Sequence, residues 1–117
     1  MLDREGRNMD KAILRTMLFD FFGDLLTDKQ REYYDLHYNA DLSLQEIAEQ
    51  SGVSHQAVWD IIRRAEQSLM AYEDKTGLVA RAVGRRHELE ALEELVSRLP
   101  DCEEKQEIAR RLAELND

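Results

Sequence analysis

From Ser43 to Leu69 the chain reads as two capped helices hinged on one glycine, and this spacing constrains the fold more than any other feature. Ser43, with Glu46 three residues later, forms a capping box, so a helix starts there and runs to about Gln50. Gly52 follows, able to take a positive φ without steric cost. Ser54 caps a longer helix, expected to reach Lys75 with Gly77 as its stop. Ala48 supplies the small residue that crossing helices need. Gly52 stands four residues later, and Val58 and Ile61 stand ten and thirteen later. With Ile47 and Val53 completing the buried set, every slot of a helix-turn-helix is filled at its interval. The plainer reading is two ordinary amphipathic helices joined by a glycine.

The flanks are also helical. Proline occurs once, at Pro100, and glycine five times, which leaves helices almost uninterrupted. Strand-like alternation bounded by turn pairs is absent, so the expected class is all-α: a helix-turn-helix bundle, winged-helix-like in type, with a C-terminal helical extension. Residues 1–9 are polar and patternless, which predicts fraying. From Asp10, Leu14, Met17 or Leu18, Phe21 and Leu25 recur at helical spacing, with Gly23 near the end. Thr27 and Gln30 form a capping box for a helix that places Tyr33, Leu36 and His37 or Tyr38 on one side. The segment "NAD" at 39–41 turns the chain. Beyond Gly77, Leu89, Leu92, Val96 and Leu99 form one stripe, although Gly84 and the Arg85–Arg86–His87 cluster weaken the first half of that helix. After Pro100, Asp101 and Glu104 form a last capping box, and Ile108, Leu112 and Leu115 form a second stripe. The expected domains are 10–77 for the helix-turn-helix and 78–117 for the extension.

Sixteen basic and 25 acidic residues leave a net charge of −9, a surface that repels phosphate at long range. The single cysteine, Cys102, excludes an internal disulfide and suits a reducing compartment. The N-terminus carries acids where a leader peptide needs a basic start and an apolar run. No apolar stretch approaches the roughly 20 residues that cross a bilayer. These features predict a cytoplasmic protein.

A recognition helix enters the major groove with its N-terminal residues foremost. With Val58, Ile61 or Ile62, Ala65 and Leu69 turned inward, the outward stripe of the second helix holds His55, Gln56, Trp59 and Arg63. Gln56 has the donor and acceptor that pair with adenine, and His55 can donate to a guanine edge or a phosphate. Ser54 and the helix N-terminus suit a phosphate, and Arg63 and Arg64 suit the backbone. Each is equally consistent with a solvated polar side chain, and Trp59 with a packing residue. Charge opposes the reading: across residues 27–72, four basic against eight acidic residues give 4 − 8 = −4. Phosphate neutralisation supplies most non-specific affinity, so DNA binding by this segment should be weak or assisted.

At this point the residues resemble a known family. The stretch from Leu18 to Leu78 resembles the YlxM family of bacterial helix-turn-helix proteins, itself similar to region 4 of sigma-70-type factors. The sigma opening "LT-x-x-Q-R" is matched by Leu26, Thr27, Gln30 and Arg31. The family's "SRQAVYD" stands here as "SHQAVWD", with Ser54, Gln56, Ala57, Val58 and Asp60 retained. His55 replaces an arginine and Trp59 a tyrosine, which removes a permanent cation from the helix start. The resemblance implies an all-helical DNA-binding protein acting in regulation. It also implies a part in protein targeting, because family members are encoded beside the signal recognition particle GTPase.

An enzyme is not expected. His37, His55 and His87 are scattered, no metal-ligand spacing or glycine-rich phosphate loop is present, and neither metal nor cofactor is called for. Ser54 beside His55 is mere adjacency. Glu93 and Glu94 read as a solvated face, and Cys102 as an inert thiol. The competing reading is an interaction module that binds the signal recognition particle GTPase or its RNA through acids such as Glu46, Glu49 and Glu93. A homodimer through the C-terminal half is also expected, because Leu95 widens the first leucine stripe beyond what one short helix covers. The alternative is a hairpin closed around Pro100.

Overall fold

The computed structural model describes residues 10–116. Among them are six α-helices and no strand: α1 (Lys11–Phe22), α2 (Asp28–Tyr34), α3 (Leu44–Ser51), α4 (His55–Thr76), α5 (Leu78–Ser97) and α6 (Glu103–Leu115). The chain divides into two compact units, one running through Val79 and the other starting at Ala80.

In the first unit, α1 starts where the Asp10 carboxylate accepts the N–H groups of Ala12 (2.8 Å) and Ile13 (3.3 Å), with its charge at the favourable end of the helix dipole. A 3₁₀ turn at Gly23–Leu25 ends the helix. Leu18, Phe22 and Leu26 are buried, whereas Phe21 and Leu25, expected inside, are 43% and 61% exposed. Leu18 and Phe22 share a face at four-residue spacing. The chain then leaves the 3₁₀ turn extended at Leu26, which drops that side chain, and not Leu25, into the core. The Thr27–Gln30 capping box starts α2 as expected, with reciprocal bonds of 3.2 and 3.1 Å.

α2 widens into a π-helical turn at Asp35–Asn39, and both Tyr33 and Tyr34 are buried. Asp41 closes the expected turn at φ 60°, a left-handed conformation that aspartate tolerates. Arg15 clasps the elements together. Its Nε donates to Glu66 Oε1 at 2.9 Å, its guanidinium lies 4.6 Å from the Tyr38 ring centroid, and its carbonyl accepts the Tyr34 hydroxyl at 3.2 Å. Burial, reinforced by Glu66, pushes the Tyr34 phenol well above the ordinary tyrosine range.

The core beneath the helix pair consists of Tyr33, Ile47, Ala48, Val58 and Ile62. Burying each large aliphatic of this set contributes about 1.5–3 kcal/mol. α4 packs on α1, α2 and α3 in turn, so one long helix organises the whole unit. It ends at Gly77, φ 64°, whose N–H bonds to the Glu73 carbonyl at 2.7 Å. The buried Glu73 carboxylate accepts the Val79 N–H at 2.8 Å, which starts α5 at once. The weakness expected in the first half of α5 does not interrupt it: the helix is continuous from Leu78 to Ser97.

In the second unit the expected Asp101–Glu104 capping box does not form. Cys102 is the N-cap of α6, its Sγ accepting the Lys105 N–H at 3.4 Å. Asp101 instead binds Lys105 Nζ at 3.1 Å, and that ammonium also donates to the Ser97 and Leu99 carbonyls. One lysine thus occupies the aspartate and the loose carbonyls at the end of α5. The leucine stripes do not close on each other as a hairpin would require. Leu89 and Leu112 are buried, but Leu92, Leu95, Leu99, Ile108 and Leu115 are exposed.

Candidate nucleic-acid interface

α3 and α4 meet through the features that their spacing predicts. The Ser43–Glu46 box is closed in both directions, at 3.0 and 3.1 Å. Gly52 takes φ 69°, and its N–H bonds to the Ala48 carbonyl at 2.9 Å. Ala48 is buried at the crossing, Val58, Ile62, Ala65 and Leu69 form the inner face of α4, and Ile61 is partly buried against the same core. Val53 departs from the expected buried set at 40% exposure. It follows the left-handed residue directly, its N–H bonded back to Ala48 at 3.2 Å, and its side chain remains at the surface.

The candidate contact residues divide by what already holds them. Ser54 Oγ accepts the Ala57 N–H at 3.0 Å, so its oxygen serves the helix start. The N–H groups of His55 and Gln56 precede the first intrahelical bond and are left for an outside acceptor. Gln56 is exposed, but its amide donates to Asp60 Oδ1 at 3.0 Å. Asp60 therefore belongs to the surface that Gln56 presents. At about 100° per residue, Gln56, Asp60, Arg63 and Arg64 lie on the side of α4 opposite Val58 and Ile62. Trp59 borders that side, whereas His55, though exposed, is turned only about 60° from the direction of Val58. The four-residue spacing of Gln56 and Asp60 on one helix is the sequence signal for this bond.

Arg63 and Arg64 are both exposed and form no ion pair among the described residues. The nearest acid toward the C-terminus on α4, Glu66, is engaged by Arg15 and does not quench Arg63. Arg63 also edges a cavity of about 520 Å³ between α1 and α4, whose other lining includes Leu14, Leu18 and Met70. Among the described residues no group of His, Cys, Asp and Glu is arranged to hold a metal ion, and no helix is long and apolar enough to cross a membrane.

An Ala48–Gly52–Val58 crossing, a left-handed glycine turn and an exposed second-helix face define a helix-turn-helix protein of the all-α class. Residues 9–110 match the family model described as "Putative helix-turn-helix protein, YlxM / p13 like". The chain belongs to that family, UPF0122. It is 46% identical over 96 residues to a UPF0122 protein of Halalkalibacterium halodurans, covering 82% of this chain and 88% of the relative. A UPF0122 protein of a Thermoanaerobacter species is 40% identical over 114 residues, covering 92% and 97%. One from Clostridium kluyveri is 52% identical over 71 residues, covering 61% and 64%.

Proposed function

We propose that this protein binds duplex DNA weakly through α4, with Arg63 and Arg64 on the phosphate backbone and His55, Gln56 and Trp59 toward the groove. The observation that carries the reading is the pair of exposed arginines that, among the described residues, have no carboxylate partner on a packed helix-turn-helix. With Gln56 bonded to Asp60, the outward face offers carboxylate and carbonyl acceptors. Such a face favours an exocyclic amino donor, as on cytosine or adenine, over a guanine edge. Ser54 acts by starting the helix and leaving two N–H groups for a phosphate.

A homodimer through the second unit belongs to the same proposal. Leu95 and Leu115, at 58% and 66% exposure, are apolar surface that a second copy would cover, and pairing doubles the arginines facing DNA. On this reading the process regulated is protein targeting by the signal recognition particle, in the cytoplasm, and its support is the family resemblance. The second reading, docking on the signal recognition particle GTPase or its RNA, is favoured by exposed Val53 and Trp59 at the same end of the helix pair.

Fluorescence anisotropy with duplex DNA separates them. Affinity should fall as salt rises, and Arg63→Gln and Arg64→Gln should each flatten the log–log slope by about one. No binding at low salt refutes the DNA reading. Sedimentation equilibrium tests the dimer: Leu95→Glu should yield monomer, and an unchanged mass excludes this face.

A further inference from the structure

The longest stretch of the chain without an acid runs from Lys75 to His87, "KTGLVARAVGRRH". Arg81, Arg85 and Arg86 fall within it, on the first half of α5, and all three are exposed. Among the described residues none of them forms an ion pair. The other cations of the second unit contrast with them. Arg98 is held by Glu94, Lys105 by Asp101, and Arg110 and Arg111 by Glu107. In a chain of net charge −9, acids are abundant enough to neutralise every arginine, yet among the described residues these three, like Arg63 and Arg64, are left out.

Their placement is unfavourable for the isolated helix. Arg81 lies in the first turn of α5, where the helix dipole favours anions. Arg81 and Arg85 are four residues apart, so two like charges face each other on one side of the helix. Gly84 between them adds no helix propensity of its own. An external polyanion would relieve these repulsions, and arginine matches phosphate oxygens with paired donors that lysine lacks.

We propose that Arg81, Arg85 and Arg86 form a second, sequence-independent binding site, on α5, for the phosphodiester backbone of duplex DNA. The proposal rests on the DNA reading of α4 for its choice of polyanion. The site adds neutralising charge to that of Arg63 and Arg64, which stand on a helix-turn-helix with a surplus of carboxylates.

The experiment uses the full chain carrying Arg81→Gln, Arg85→Gln and Arg86→Gln together, beside the Arg63→Gln/Arg64→Gln variant. Each is titrated with a short duplex DNA of scrambled sequence and with the corresponding duplex RNA over a range of salt. Each phosphate neutralised contributes about 0.9 to the slope of log K against log salt, so the triple variant should lose about 2.7. Its melting midpoint should be equal to or above that of the parent, since repulsion is relieved without loss of packing. An unchanged slope for the triple variant, with a reduced slope for Arg63→Gln/Arg64→Gln, overturns this site and leaves the α4 reading standing. The reverse result upholds this site and removes the α4 reading. No binding by the parent overturns both. A slope loss seen only with RNA overturns the assignment to DNA. A lower melting midpoint overturns the idea that the arginines serve a ligand rather than the fold.

Discussion

Replacing Gly52 by alanine isolates the conformational cost of the turn between α3 and α4. Gly52 holds φ 69° and ψ 28°, and a methyl built on it would meet no atom within 4 Å. Collision therefore contributes nothing, and the remaining cost is left-handed backbone, about 1–2 kcal/mol for an L-residue. Alanine also restricts the unfolded chain, which offsets about 0.4–1 kcal/mol. The net expected loss is on the order of 1 kcal/mol, or roughly 4–8 °C in Tm for a cooperative unit of this size. Asparagine tolerates the left-handed region better, so Gly52→Asn should lose less than Gly52→Ala. Urea unfolding of the full chain, followed by far-ultraviolet circular dichroism, measures both. A loss above about 3 kcal/mol for alanine would refute the reasoning, because it would require the methyl to strike a neighbour. Equal losses for alanine and asparagine would also refute it, since backbone preference is what separates them.

At the crossing itself, Ala48→Leu should cost about 1–3 kcal/mol by overpacking against Tyr33, Ile47, Val58 and Ile62; an unchanged unfolding midpoint would move the crossing elsewhere. Cys102→Ser should stabilise α6 by up to about 1 kcal/mol, because a hydroxyl caps the Lys105 N–H better than sulfur at 3.4 Å; a lower melting midpoint contradicts this. Tyr34 and Tyr38 have raised pKa values, chiefly through burial, so their contribution is complete below the ordinary tyrosine value of 10.0 and is lost as pH rises above it. Tyr34→Phe should reduce the alkaline loss of stability, and an unaltered pH profile between variant and parent would show that Tyr34 does not cause it.

The sequence by itself determined where most helices begin and end. Thr27, Ser43 and Ser54 cap through bonds to N–H groups three residues away, and Gly52 and Gly77 take positive φ because no other residue does so at comparable cost. The inner face of α4 was equally legible, since Val58, Ile62, Ala65 and Leu69 repeat at the helical period. Tertiary structure decided what local spacing leaves degenerate. Phe22, rather than Phe21, shares the buried face of α1 with Leu18, and Leu26, rather than Leu25, entered the core because the chain leaves a 3₁₀ turn extended there. Cys102 displaced Asp101 as the cap of α6 because Lys105 engages that carboxylate. For the candidate contacts, residue type named Gln56, Arg63 and Arg64, but it did not settle how their charges and donors are partnered. Asp60 takes the amide of Gln56, whereas Glu66 is taken by Arg15, fifty-one positions before it, so that among the described residues Arg63 has no ion-pair partner. Capping is decided by the few residues around each helix end and can be read along the chain. The partner of a charged side chain depends on which distant segments the core brings within reach, and only packing decides that.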